Sequence, residues 1–135
     1  IWEHYYKFCF ERNPWEKVVS QYFWKNSRRP IGKPWPSFSE FLESQATRKL
    51  KQRGFGAYTI DGKVVVDRVC QFENMAAELD FLKTRLGFPE PLQMPRAKSS
   101  QRKDKREARD ILSPADKERI RELFHEEIEM FGYTC

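Results

Sequence analysis

An α/β domain, a small mixed sheet flanked by helices, is the fold class this sequence predicts. Three observations carry it. An aromatic run of β-formers, Tyr5, Tyr6, Phe8, Cys9 and Phe10, leads straight into a helix-start signal. An Asp61-Gly62 pair stands between two β-rich runs, the pattern of a hairpin. Apolar residues then recur at helical spacing, between cap residues, in the second half of the chain.

The first unit is residues 8–24, FCFERNPWEKVVSQYFW. Asn13 is a good N-cap, and Pro14 suits the first helical position, where its missing N–H would be unpaired anyway. Glu16 stands three residues after the cap, where a capping box has its acid. Trp15, Val18, Val19, Tyr22 and Phe23 form one apolar stripe, and the helix is expected to end near Trp24. Ser20 lies off that stripe. Arg12 is left at the carboxyl end of the strand, before a helix N-terminus. Ligands of open α/β sheets bind there, and helix N-termini attract phosphate.

Residues 25–37 read as a loop broken by Pro30, Gly32, Pro34 and Pro36. Ser37 and Glu40 form a capping box for a helix from Phe38 to about Lys49. Arg48, Lys49, Lys51 and Arg53 read as a solvated cluster. The hairpin strands are residues 58–60 and 63–72, and the second runs into Phe72-Glu73-Asn74-Met75. A helix follows with Leu79, Leu82 and Leu86 as its apolar face, Gly87 at its C-terminal cap and Pro89 beyond. Glu73, at a strand–helix junction, reads as a cap for backbone N–H groups rather than a catalytic carboxylate. Residues 93–112 have little hydrophobic content and read as a basic, mobile loop. The last helix starts at Ser113-Pro114 and carries Ile120, Leu123, Phe124, Ile128 and Phe131 to Gly132. His125 beside that stripe reads as a surface residue.

Composition narrows the class. Residues 1–135 read as one domain, long enough for a core. No apolar run approaches the roughly 18 residues of a membrane span, and no signal peptide is visible. The chain starts at Ile1 without Met, which suggests a fragment. Cys9, Cys70 and Cys135 are far apart and form no C-x-x-C pair, so inert thiols and a reducing, cytoplasmic compartment are expected. The net charge of +5 is concentrated in Arg96–Arg109, which holds Arg96, Lys98, Arg102, Lys103, Lys105, Arg106 and Arg109 against Asp104 and Glu107. Such a segment implies an anionic partner: a nucleic acid, an acidic glycan or a nucleotide.

Phe8, Phe10, Arg12, Asn13, Pro14, Trp15, Ser20 and Tyr22 together resemble the 3′-phosphate-binding motif of sulfotransferases that use 3′-phosphoadenosine 5′-phosphosulfate (PAPS). Ser37, Phe38 and Phe41, the Phe-Glu-Asn run at Phe72, the Leu86-Gly87 close and the Glu129-x-Phe131-Gly132-Tyr133 ending are similar to that family too. The resemblance spans about Tyr5 to Tyr133. It implies a partial sulfotransferase fold of the P-loop-like kind, with PAPS or its desulfated product PAP as nucleotide cofactor and sulfuryl transfer to a carbohydrate hydroxyl as the parent reaction. It implies that Arg12 and Ser20 hold the 3′-phosphate. It also implies that a late loop, where Lys98, Ser99, Ser100 and Arg102 stand, reaches the cofactor. The family usually has an apolar residue where Glu11 stands, and often Asn where Lys98 stands. Its Gly/Ser/Thr-rich Pro-Lys loop for the 5′-phosphosulfate has no match here, since the prolines around Gly32-Lys33 forbid a row of backbone donors. A poor catalyst on its own is therefore implied. Without the neighbouring strand that bears that loop, residues 5–10 would be an open edge, which predicts a homodimer. The alternative from composition is a non-catalytic module that grips a polyanion or nucleic acid through Arg96–Arg109. No nucleic-acid-reading motif accompanies that segment.

Overall fold

The computed structural model describes residues 2–94 and 104–135. It is a mixed α/β structure in which a small sheet is flanked by helices. Strand β1 (Phe8–Glu11) leads into helix α1 (Pro14–Asn26). Helices α2 (Phe38–Leu42), α3 (Gln45–Arg53) and α4 (Phe55–Tyr58) come next, then strands β2 (Thr59–Ile60), β3 (Lys63–Val64) and β4 (Arg68–Gln71). A short 3₁₀ turn at Phe72–Asn74 enters α5 (Met75–Leu86), and α6 (Ala108–Ile111), α7 (Pro114–Leu123) and α8 (His125–Phe131) complete the described elements.

The local signals act as their chemistry requires. The Asn13 side chain accepts from the Trp15 N–H at 3.1 Å and starts α1. Ser37 and Glu40 close both bonds of a capping box, and the Ser113 hydroxyl accepts from the Asp116 N–H. Asp61 and Gly62 both have positive φ, 50° and 73°, which gives the turn the twist a tight hairpin needs.

Three expected elements are corrected. The helix expected from Phe38 to about Lys49 is two helices, because the Phe41 carbonyl accepts from the Ser44 and Thr47 hydroxyls and the chain turns there. The strand expected over residues 63–72 is also two. β3 pairs antiparallel with β2, while β4 leaves the hairpin and pairs parallel with β1, with Phe8 beside Arg68 and Glu11 beside Gln71. Asp67 makes that switch. It accepts from the Lys7 N–H at 2.7 Å and pairs with the Lys7 ammonium at 2.9 Å. The last helix breaks at Phe124 (φ −119°), which buries its ring completely.

The core lies among the helices and not on the sheet. Trp15, Val18, Val19 and Tyr22 of α1 meet Phe41 and Leu42 of α2, Ala108, Leu112, Ile120 and Phe124. The Trp15 indole also donates to the Lys117 carbonyl at 3.0 Å. α1 runs on past Trp24 to Asn26, a buried residue whose amide donates to the Tyr22 carbonyl. Among the described residues β1 pairs only with β4, and it covers Phe8–Glu11 rather than the residues 5–10 on which the expected homodimer rests. Cys70 is buried and Cys9 half-buried, and burial pushes both thiols up to about 11, which keeps them protonated and unreactive.

In α5 the expected stripe is uneven: Leu82 is 1% exposed, whereas Leu86 is 38% exposed. Phe124→Ala should therefore cost about 3–5 kcal/mol in urea unfolding. Leu86→Ala should stay within about 0.5 kcal/mol of the parent. Equal losses for the two would contradict this placement of the core.

Candidate functional site

The site candidate is the corner where β1 becomes α1. In a strand successive side chains face opposite ways. Glu11 points inward and is 2% exposed, so Arg12 comes out on the other face. Glu11 is not a loose charge beside Arg12. Its carboxylate pairs with the Lys17 ammonium, accepts from the Tyr58 hydroxyl at 2.7 Å and accepts the Arg12 backbone N–H at 2.9 Å. The negative charge that departs from the family pattern is thus compensated inside the protein. Gly54 lies against this pair: a Cβ there would stand 3.2 Å from the Lys17 nitrogen and 3.7 Å from a Glu11 oxygen.

The turn itself is held from three sides. The Asn13 N–H donates to Glu73 at 2.7 Å. Its side-chain amide donates to the Thr134 carbonyl at 2.7 Å, while its oxygen caps Trp15. The Arg12 N–H is bound to Glu11, the Asn13 N–H to Glu73 and the Trp15 N–H to Asn13, and Pro14 has none, so the donors from Arg12 to Trp15 are already used. This modifies the expectation from sequence. An anion at this corner has to be met by side chains, not by a ring of helix N–H groups.

Arg12 lies with its guanidinium 4.9 Å from the Phe72 ring centre and 3.5 Å from Glu16, one turn into α1. Glu16 is also tied elsewhere, accepting the Ala108 N–H. Ser20 stands one further turn along the same flank, half-buried, and its hydroxyl makes no hydrogen bond among the described residues. Arg12 and Ser20 therefore share a side of α1 that the core stripe leaves uncovered. A cleft of about 210 Å³ opens beside the corner, with Asn13, Glu16, Arg109 and Cys135 in its wall.

Lys98, Ser99, Ser100 and Arg102 lie outside the described residues. Of the basic segment, Arg106 pairs with Asp104 at 2.6 Å and Arg109 with Glu107 at 2.8 Å, so the segment's two acids neutralise part of its charge locally. Glu73 does cap a backbone N–H, as read from sequence, although on the neighbouring helix start. No group of acids, histidines and cysteines that could hold a metal ion is formed among the described residues.

Sequence reading missed a buried polar cluster behind the corner. Beside Glu11, Lys17 and Tyr58 lies Glu127 of α8, fully buried, with both carboxylate oxygens lacking a hydrogen-bond partner among the described residues. Burial pushes its pKa up to about 7, against the pull of Lys17 and Lys51 and with a push from Glu11. The only signal was an acid at a stripe-adjacent position. Its burial follows from the break at Phe124, which local sequence did not reveal.

The family model described as the sulfotransferase family matches residues 1–134. The chain belongs to the sulfotransferase family. A protein of Archaeoglobus fulgidus described as an uncharacterized protein is 34% identical over 96 residues, which cover 68% of this chain and 76% of its own. No solved structure matches the chain. Within this sulfotransferase-family chain, no helix among the described residues is long and apolar enough to cross a membrane.

The Glu127 pKa has a consequence with a definite sign. An acid at 4.5 when unfolded and at about 7 when folded holds its proton more tightly in the folded state. Its stabilising contribution is present below 4.5 and is lost as pH rises through 7, at up to roughly 1.4 kcal/mol per pH unit. Glu127→Gln should therefore gain stability over the parent at pH 8, and the gain should shrink as pH falls to 4.5. A gain of the same size at both pH values in chemical denaturation would show that Glu127 does not titrate in that window.

Proposed function

We propose that this chain binds the nucleotide of PAPS-dependent sulfuryl transfer, PAPS or PAP, with Arg12 and Ser20 on its 3′-phosphate. The observation that carries the reading is the division of labour at one corner. Glu11 is turned inward and paired, while Arg12 and the Ser20 hydroxyl, which has no hydrogen bond among the described residues, stand on one outer flank of α1. The donor set suits the group. A guanidinium offers in-plane N–H donors that match phosphate oxygens, and a hydroxyl adds a neutral donor without a second charge. Glu16 stands between the two, and its tie to Ala108 draws that carboxylate toward α6.

When bound, PAPS supplies the sulfuryl group, and the acceptor in this reading is a carbohydrate hydroxyl. The chain's own residues bind and orient the nucleotide at its 3′ end. Lys98, Ser100 and Arg102 are proposed to add contacts from the basic loop. A sulfate-side loop of backbone donors with its Lys is not recognisable in the 135 residues. Sulfuryl transfer, like phosphoryl transfer, depends on positioning and charge stabilisation. These residues alone should therefore bind better than they turn over.

Calorimetry with PAP and adenosine 5′-monophosphate is the direct test. PAP should bind much more tightly than the monophosphate. Arg12→Ala should weaken PAP at least about tenfold, the effect of losing a hydrogen bond to a charged group worth roughly 1.5–3 kcal/mol. Equal affinity for both nucleotides would sink the assignment.

A further inference from the structure

Phe72 is 43% exposed, although it directly follows a strand that pairs in the sheet. An exposed ring at such a place needs a use. Its ring contact is the Arg12 guanidinium, at 4.9 Å. The next residue, Glu73, accepts the N–H of the residue after Arg12, at 2.7 Å. Two consecutive side chains on one turn thus grip two consecutive residues on the other.

The parallel register makes this meeting obligatory. Glu11 lies beside Gln71, so β1 and β4 end at the same level and residues 72–73 must abut residues 12–13. Of those two pairs, one is a face-on ring for a guanidinium and the other a carboxylate for a backbone donor. A guanidinium resting on an aromatic face has that side covered and directs its N–H donors outward within its own plane above the ring, where a phosphate can take two of them at once. Glu16 is the competing partner. Its carboxylate is already ion-paired with the Arg12 guanidinium at 3.5 Å, one helical turn away, and an arginine without the ring would be drawn further onto it.

We propose that Phe72 and Glu73 are positioning residues for Arg12. Phe72 holds the guanidinium edge-out against the pull of Glu16, and Glu73 fixes the backbone from which Arg12 projects. Selectivity for a 3′-phosphate over a 3′-hydroxyl then depends on a residue that does not touch the nucleotide. This inference rests on the reading of Arg12 as the 3′-phosphate ligand.

The experiment measures PAP and adenosine 5′-monophosphate affinity, with melting temperature, for Phe72→Leu, Phe72→Tyr, Glu73→Ala, Glu73→Gln and Arg12→Ala. Leucine keeps an apolar side chain but has no ring face, while tyrosine keeps the face. Phe72→Leu should lose about tenfold in PAP affinity with the monophosphate unchanged, and Phe72→Tyr should bind as the parent does. Glu73→Ala should lose PAP affinity several-fold and Glu73→Gln, which still offers an acceptor, should not. Parental PAP affinity in Phe72→Leu, alongside a large loss in Arg12→Ala, would overturn the positioning role and leave the ligand role standing. Parallel losses for both nucleotides with a lowered melting temperature would also overturn it, since the ring would then be merely structural. An unchanged Arg12→Ala would remove the premise along with the inference.

Discussion

The buried pair between Glu11 and Lys17 is the contact on which the corner depends. It joins the last residue of β1 to the second turn of α1, and the Tyr58 hydroxyl ties the same carboxylate to α4. Two adjoining elements and a helix 47 residues away in sequence therefore meet at one side chain. A buried ion pair contributes little net stability compared with a well-packed apolar replacement, but leaving one partner behind alone costs about 3–5 kcal/mol. Its value here is orientation. With Glu11 held inside, strand alternation leaves Arg12 only the outer face, and Pro14 then starts the helix at a fixed distance beyond it.

α1 serves two sides at once. Trp15, Val18, Val19 and Tyr22 make it the central helix of the core, whereas Glu16 and Ser20 stand on the flank that packing leaves open. Because the core lies among helices, the two-stranded parallel sheet acts as a frame for the corner. It ends both β1 and β4 at one level and hands the chain to α1 on one side and to the Phe72–Asn74 turn on the other. The chain's last residues contribute too, since the Thr134 carbonyl holds the Asn13 amide. Parts of the sequence separated by some sixty and by more than a hundred residues thus fix a single turn.

What was legible in the sequence was local. Asn13-Pro14, Ser37 with Glu40, Ser113-Pro114 and Asp61-Gly62 each determine the backbone within a few residues, and each does so in the structure. The breaks were not legible, because they depend on partners elsewhere in the fold. Phe124 leaves its helical line to fill the core beside α1, and residues 63–72 divide because Lys7 claims Asp67. The candidate site divides in the same way. Arg12, Asn13 and Ser20 stand in one readable motif, and the period of a strand already turns Glu11 away from Arg12. That Lys17 and Tyr58 would receive it, that Phe72 would lie against Arg12, and that Glu127 would be buried behind them are facts of tertiary packing.

The proposed function requires the outer flank of this corner to recognise a phosphate on the 3′ side of an adenine nucleotide. Phosphorus NMR of adenosine 3′,5′-bisphosphate tests it most directly, because the two phosphates report separately. On adding the protein, the 3′-phosphorus resonance should shift and broaden, and that response should vanish with Arg12→Ala. A response confined to the 5′-phosphorus, or a 3′ response that persists in Arg12→Ala, would contradict the account.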